Sequence, residues 1–116
     1  MTEPLVPATP RLFSTLFTYQ PRFAVMVSAL IAQAVQMGYE VTLGDAFRDP
    51  RVSYGHPRSL HKARLAIDLN LFKEGVFLRQ TADHQALGEW WEAQGGTWGG
   101  RWDDGNHYSL AWEGMK

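Results

Sequence analysis

The sequence contains no cysteine. That absence removes disulfides, thiolate metal sites and cysteine nucleophiles together, so any metal must be held by histidine and carboxylate. The redox compartment stays open. Charge of one sign is also missing: 11 Lys and Arg against 12 Asp and Glu give a net charge of −1, which supplies no positive field for coating nucleic acid or an anionic membrane. Nor is there an apolar run of the ~20 residues that a membrane span needs. The longest, Phe23 to Met37, is broken by Gln33 and Gln36. It contains Ala32-Gln33-Ala34, which has the look of a signal-peptidase site. The stretch before it is long for a signal peptide's charged region and carries Glu3, so the chain is expected to be made in the cytoplasm without a signal peptide. No repeat or low-complexity tract occurs, and 116 residues give room for one domain (1–116), not two.

What is present, 45% hydrophobic and 20% charged, reads as a soluble globular domain. Pro4, Pro7 and Pro10 mark residues 1–10 as an extended lead-in, ahead of a short helix over Arg11 to Tyr19. Phe23, Val27, Leu30, Ile31, Ala34 and Val35 recur at helical spacing. Pro21 suits the start of that helix and Gly38 the left-handed residue beyond its end, which makes it a core helix with one buried stripe. Glu40 to Leu43 is a short strand feeding a Pro/Gly-containing loop, Arg48 to about Ser59, of a length that is often functional. Leu65, Ile67, Leu69 and Leu71 alternate with Arg64, Ala66, Asp68 and Asn70, a strand with one wet or functional face. Lys73-Glu74-Gly75 turns the chain into a short return strand, Val76 to Leu78. Asp83 can cap a helix over His84 to Gln94 whose apolar side is Leu87, Trp90 and Trp91. Glycine pairs bracket a loop through Trp98, and a last strand runs from His107 to Trp112. This order predicts an α+β domain built on a small, mainly antiparallel sheet with helices packed on one face.

Asp68 opens the functional argument, because aspartate is disfavoured inside strands and here it sits between Ile67 and Leu69. Its face can simply meet solvent. It can also face His107, which starts the last strand, if the two strands share a sheet; His61, just before the first of them, could reach over the same face. Two histidines and a carboxylate are a common ligand set for catalytic zinc, which leaves a further position open for water. A general base for that water must approach without being a ligand; Asp104, three residues before His107, has the better spacing, and Asp103 competes. His56 and His84 read as surface or loop histidines. Trp98 to Trp102 either line a groove or cap the core, and Arg48, Arg51 and Arg58 form a small basic patch.

The run Ser59-Leu60-His61-Lys62-Ala63-Arg64-Leu65-Ala66-Ile67-Asp68-Leu69, followed by Asp104-Gly105-Asn106-His107-Tyr108, resembles the Ser-x-His…Ala-x-Asp and Asp/Glu-x-x-His-aromatic pattern of the zinc D-alanyl-D-alanine carboxypeptidase and L-alanyl-D-glutamate endopeptidase family (VanY-like, hedgehog/D,D-peptidase fold). Asp45-Ala46-Phe47-Arg48 looks like that family's Gly-Tyr-Arg segment. The resemblance implies Zn2+ held by His61, Asp68 and His107, with Asp104 as general base. It makes Arg48 the arginine that contacts substrate carboxylate or helps polarise the scissile carbonyl, and Ser59 a support for the first ligand or the substrate. Arg64 stands where the family usually has glycine and could narrow the cleft or bind an acidic group of the substrate. Trp102 is a further candidate for the groove.

The short form most resembles phage or prophage endolysin-like members. The implied function is hydrolysis of an amide bond in the peptidoglycan stem peptide by a monomer, with L-alanyl-D-glutamate endopeptidase activity favoured over D,D-carboxypeptidase or dipeptidase activity. Access to the cell wall or periplasm would then follow holin-dependent or virion-mediated release, with no nucleic-acid partner and no membrane insertion. A non-catalytic wall-binding or virion structural domain that keeps the fold is the alternative from another class.

Overall fold

The computed structural model describes residues 15–56 and 58–116. The expected lead-in lies outside them. Of the short helix expected over Arg11 to Tyr19, only the part from Thr15 is described, and it forms the first turn of a single helix α1, Thr15–Gln36. Pro21 therefore does not start the helix but sits inside it, where it cannot donate to the carbonyl of Phe17. Phe17 is on the exposed side, so that loss falls where the carbonyl is close to water. The far end follows expectation: Gly38 takes φ 95° and Tyr39 N donates back to Ala34 O at 3.0 Å. Phe23, Leu30 and Ala34 form the buried stripe with Val27 and Ile31 against it, whereas Val35 is turned to solvent.

Five strands follow. β1 (Glu40–Leu43) pairs antiparallel with β2 (Ala66–Lys73), and β2 turns through Glu74-Gly75 into β3 (Val76–Leu78). α2 (Gln85–Ala93) is entered through a 3-10 turn, Thr81–His84, rather than starting at His84. Asp83 does not cap α2 itself; it closes the capping box of the 3-10 turn, accepting from the backbone N of Gln80 at 2.9 Å, and His84 precedes α2 without a side-chain cap. β4 (Thr97–Trp98) and β5 (His107–Ser109) complete a sheet of order β1-β2-β5-β4, with β3 on the same edge of β2 as β5. Trp98 is thus in a strand, not a loop. The last strand is shorter than its alternation suggested, and Trp112 instead bridges to Met115.

The helices cover one face of the sheet. Leu65, Ile67, Leu69 and Leu71 meet Leu30, Ala34, Leu87 and Trp91 in a single core, all fully or nearly fully buried. The Trp91 indole donates to Ser109 O at 3.0 Å and stands edge-on to both Phe23 and Tyr108. The other face of β2, with Asp68 and Asn70, is left for the site.

Candidate metal centre

Asp68 and His107 are direct partners in the antiparallel ladder between β2 and β5, so their side chains stand on one face of the sheet. His61 comes to them from a 3-10 turn, Leu60–Ala63. Ser59 Oγ accepts from His61 N at 3.2 Å and starts the turn; Arg64, in the left-handed region at φ 58°, ends it and aims the chain into β2. His61 Nε2 lies 3.2 Å from Asp68 Oδ1 and His107 Nδ1 3.9 Å from the same oxygen. One donor atom from each of the three residues falls within 4.8 Å of the other two.

The donor set fits a divalent ion such as zinc. Two imidazole nitrogens and one carboxylate oxygen converge, and both rings are buried. Burial, helped by the neighbouring His61, pushes His107 down to about 4, so it is the neutral imidazole, the form that ligates a metal, at neutral pH. The remote nitrogens, His61 Nδ1 and His107 Nε2, have no hydrogen-bond partner among the described residues.

Asp104 stands beside these residues without joining the set. A 3-10 turn, Gly99–Trp102, closes on Asp103 at φ 61°, and Asp104 N then bonds Gly99 O at 2.9 Å while His107 N bonds Asp104 O at 3.1 Å. Asp104 Oδ2 ends 3.9 Å from His107 Nδ1. Partial burial first, and then the negative charge of Asp68, raise its carboxyl above the ordinary aspartate value. Asp103 points elsewhere, accepting from Thr81 Oγ1 at 3.0 Å.

Arg48 is delivered by the continuation of β1. Gly44 N and Asp45 O hold that continuation to the Asp68 backbone, and Arg48 N donates to His61 O at 3.0 Å. The residue is 9% exposed, yet its side chain's contacts are few: Nη2 to Asp45 Oδ2 at 3.3 Å, the Tyr54 ring at 4.8 Å, and no partner for Nε among the described residues. Gly55 packs against the guanidinium so tightly that a Cβ there would overlap Nη1. A buried cation with donors to spare is suited to an incoming carboxylate or carbonyl oxygen.

Arg48, Ser59, His61, Asp68, Trp102, Asp104 and His107 all line one cavity of about 600 Å³. Arg64 does not. Its backbone is left-handed, a conformation that favours glycine, and its guanidinium lies 4.1 Å from the Phe47 ring, away from the lining. His84 departs from its surface reading: it is 3% exposed, bonded through Nδ1 to the Tyr108 hydroxyl at 2.8 Å, and lowered to about 4 by burial. Tyr54, Gly55 and Lys116 escaped sequence reasoning as parts of the site, since nothing in their spacing ties them to the histidines. Arg58 and His56 also reach the cavity, His56 Nδ1 accepting from Arg58 N at 3.0 Å.

No curated protein matches the chain. A family model described as D-alanyl-D-alanine carboxypeptidase matches residues 53–110, half of the chain, a span that begins in the loop over Arg48 and takes in all three metal-ligand candidates and Asp104. With that match lying on residues whose side chains converge as a metal-binding group, the chain belongs to the D-alanyl-D-alanine carboxypeptidase family of metallopeptidases.

Proposed function

We propose that the protein is a zinc-dependent peptidoglycan peptidase that cuts an amide bond of the stem peptide, acting as an L-alanyl-D-glutamate endopeptidase. The observation that carries the reading is the convergence of His61, Asp68 and His107 with Asp104 alongside them on the wall of one cavity. Zinc held by the three donors would supply Lewis acidity, polarising the scissile carbonyl and acidifying a water. Asp104, its proton affinity raised, accepts the proton of the attacking water at Oδ2 and returns it to the departing amine. Arg48 holds a carboxylate or carbonyl oxygen of the substrate, and Ser59 keeps His61 in place through its backbone N.

Endopeptidase action is favoured by the shape of the walls. Asp104 lines both the large cavity and a second one, of about 190 Å³, lined also by Asn70, Gln80 and Thr81. A chain extending both ways from the cut bond needs more space beside the base than one cavity gives. Removal of a terminal D-Ala is the second reading, supported by the description of the matched family and by Arg48 as a receptor for a terminal carboxylate.

Mass spectrometry of purified peptidoglycan incubated with the protein tests both. Release of stem segments after L-Ala, abolished by a chelator and by Asp104→Asn, is the expected result. Loss of a terminal D-Ala alone would replace it with carboxypeptidase activity, and no new fragment despite bound zinc would turn the assignment to a wall-binding role.

A further inference from the structure

Beyond β5 the chain doubles back over the cavity. Trp112 N donates to Met115 O at 3.1 Å and Met115 N to Trp112 O at 2.9 Å, across Glu113 and Gly114 at φ 49° and 77°. Positive φ at both central residues is the signature of a tight hairpin turn. The turn is tied down: the Trp112 indole donates to Thr15 Oγ1 at 3.3 Å, and Met115 packs against the core. What it delivers is Lys116. Its ammonium lies 4.8 Å from the centroid of the Trp102 ring, which itself stands 5.6 Å from the His107 ring.

Two cations on this wall have no carboxylate within ion-pair distance among the described residues. Arg48 is paired with Asp45, Arg51 with Asp49 and Arg101 with Glu92, whereas Arg58 and Lys116 are left without such a partner. Arg58 and Lys116 thus line the cavity unpaired, beside Asp68 and Asp104, and a divalent ion on the three donors would offset the charge of those two carboxylates. A cavity whose walls exclude part of the water strengthens the pull of those two cations on an anion. The Trp102 face beneath Lys116 fixes the ammonium and offers an apolar surface for the substrate backbone.

We propose that Lys116, set on Trp102 and aided by Arg58, forms a subsite for a carboxylate on the substrate, so that the cleft selects stem peptides whose residue beside the scissile amide keeps a free acid over those in which it is amidated. The inference rests on the peptidase reading for the identity of the ligand. The subsite itself is a property of the wall and is measurable without turnover.

The test uses the full chain loaded with zinc, carrying Asp104→Asn to prevent cleavage. Two synthetic peptides, one containing D-glutamate and the other its isoglutamine amide, are titrated by calorimetry at low and high salt. The acidic peptide should bind more tightly by about fivefold, the worth of one exposed charge pair, with the preference shrinking at high salt. Lys116→Ala should abolish the preference, Lys116→Glu should reverse it, and Lys116→Arg should keep it, which separates loss of charge from loss of fold. Equal binding of the two peptides, or a preference unchanged in Lys116→Ala, overturns the proposal. Should the unmutated protein cleave neither peptide while the binding preference and its dependence on Lys116 hold, the subsite stands and the peptidase reading falls.

Discussion

Replacing Asp104 by asparagine separates two roles that the site keeps apart by geometry. The carboxylate stands 3.9 Å from His107 Nδ1, while Asp68 contributes the oxygen 3.2 Å from His61 and is the carboxylate of the converging set. Asparagine keeps the size of the side chain but takes up no proton, so turnover should drop by the ~10²–10⁴-fold that a positioned base contributes, about 3–5 kcal/mol on the barrier. Three donors remain, and the protein should still retain close to one zinc per chain. His107→Ala removes one of the three and should lose both metal and turnover. Elemental analysis after dialysis against a weak chelator, run beside release of wall peptides, reads the two quantities on the same samples. Metal-free Asp104→Asn protein would refute the reasoning by making Asp104 a ligand; turnover within about tenfold of the unmutated protein would refute it by removing the base.

Three further outcomes are expected. His84 is held neutral in the fold at about 4 against 6.5 when unfolded, so the unfolded chain binds the extra proton between those values; the stability it confers is complete above pH 6.5 and is lost as pH falls to 4, on the order of 2–3 kcal/mol. Because metal-free His107 titrates in the same window, the check is the difference in urea-unfolding slope with pH between the unmutated protein and His84→Gln, and identical slopes would remove His84 as the source. Gly55→Ala forces a side chain onto the Arg48 guanidinium at a φ of 77° and should raise KM for wall peptides at least tenfold, with unfolding changed by only about 1–2 kcal/mol; an unaltered KM would mean that Arg48 does not hold substrate. Leu30→Ala, at a fully buried position, should cost about 2–5 kcal/mol in urea without changing metal content, and a loss under 1 kcal/mol would show that α1 is not tightly packed on the sheet.

The fold class was legible because it rests on period, whereas the grouping of His61, Asp68 and His107 was left open by spacing and was implied by the family resemblance. Alternation from Leu65 to Leu71 placed one face of β2 in the core and left Asp68 on the other; that His107 can share Asp68's face was conditional on a shared sheet, and the direct register of the two is seen only in the structure. Less was legible where tertiary packing overrode local signals. Pro21 reads as a helix start, yet packing of Phe23 and Leu30 holds α1 on both sides of it. Val35 fits the helical spacing but lies at the edge of the stripe, and a lone histidine, His84, gave no sign that Tyr108 waits for it across 24 positions. Arg64 looked like a cleft residue because its charge was visible and its φ was not. Lys116 was silent for the same kind of reason: only the turn at Glu113-Gly114 brings it back to Trp102.

The site is set by strand register, and this ties its chemistry to a few bonds far from the metal ligands. A slip of one residue between β2 and β5 would separate Asp68 from His107 and turn one of them toward the core. Three contacts on β5 and its approach oppose such a slip: the Trp98 indole donates to Gly105 O at 2.7 Å, the Trp91 indole to Ser109 O at 3.0 Å, and Leu110 N to Leu65 O at 2.9 Å. The two tryptophans that look like bulk core filling are therefore also the pegs that fix where His107 stands. Trp98 has the shorter reach to the site, since Gly105 lies between Asp104 and His107. Replacing Trp98 by phenylalanine keeps an aromatic ring in the core while leaving Gly105 O without its donor, at a stability cost of about 1–3 kcal/mol. Zinc affinity should weaken along with stability, because the loop that spaces base from ligand loses its anchor. A Trp98→Phe protein that unfolds more readily yet holds zinc as tightly as before would show that the hairpin keeps its register without that bond.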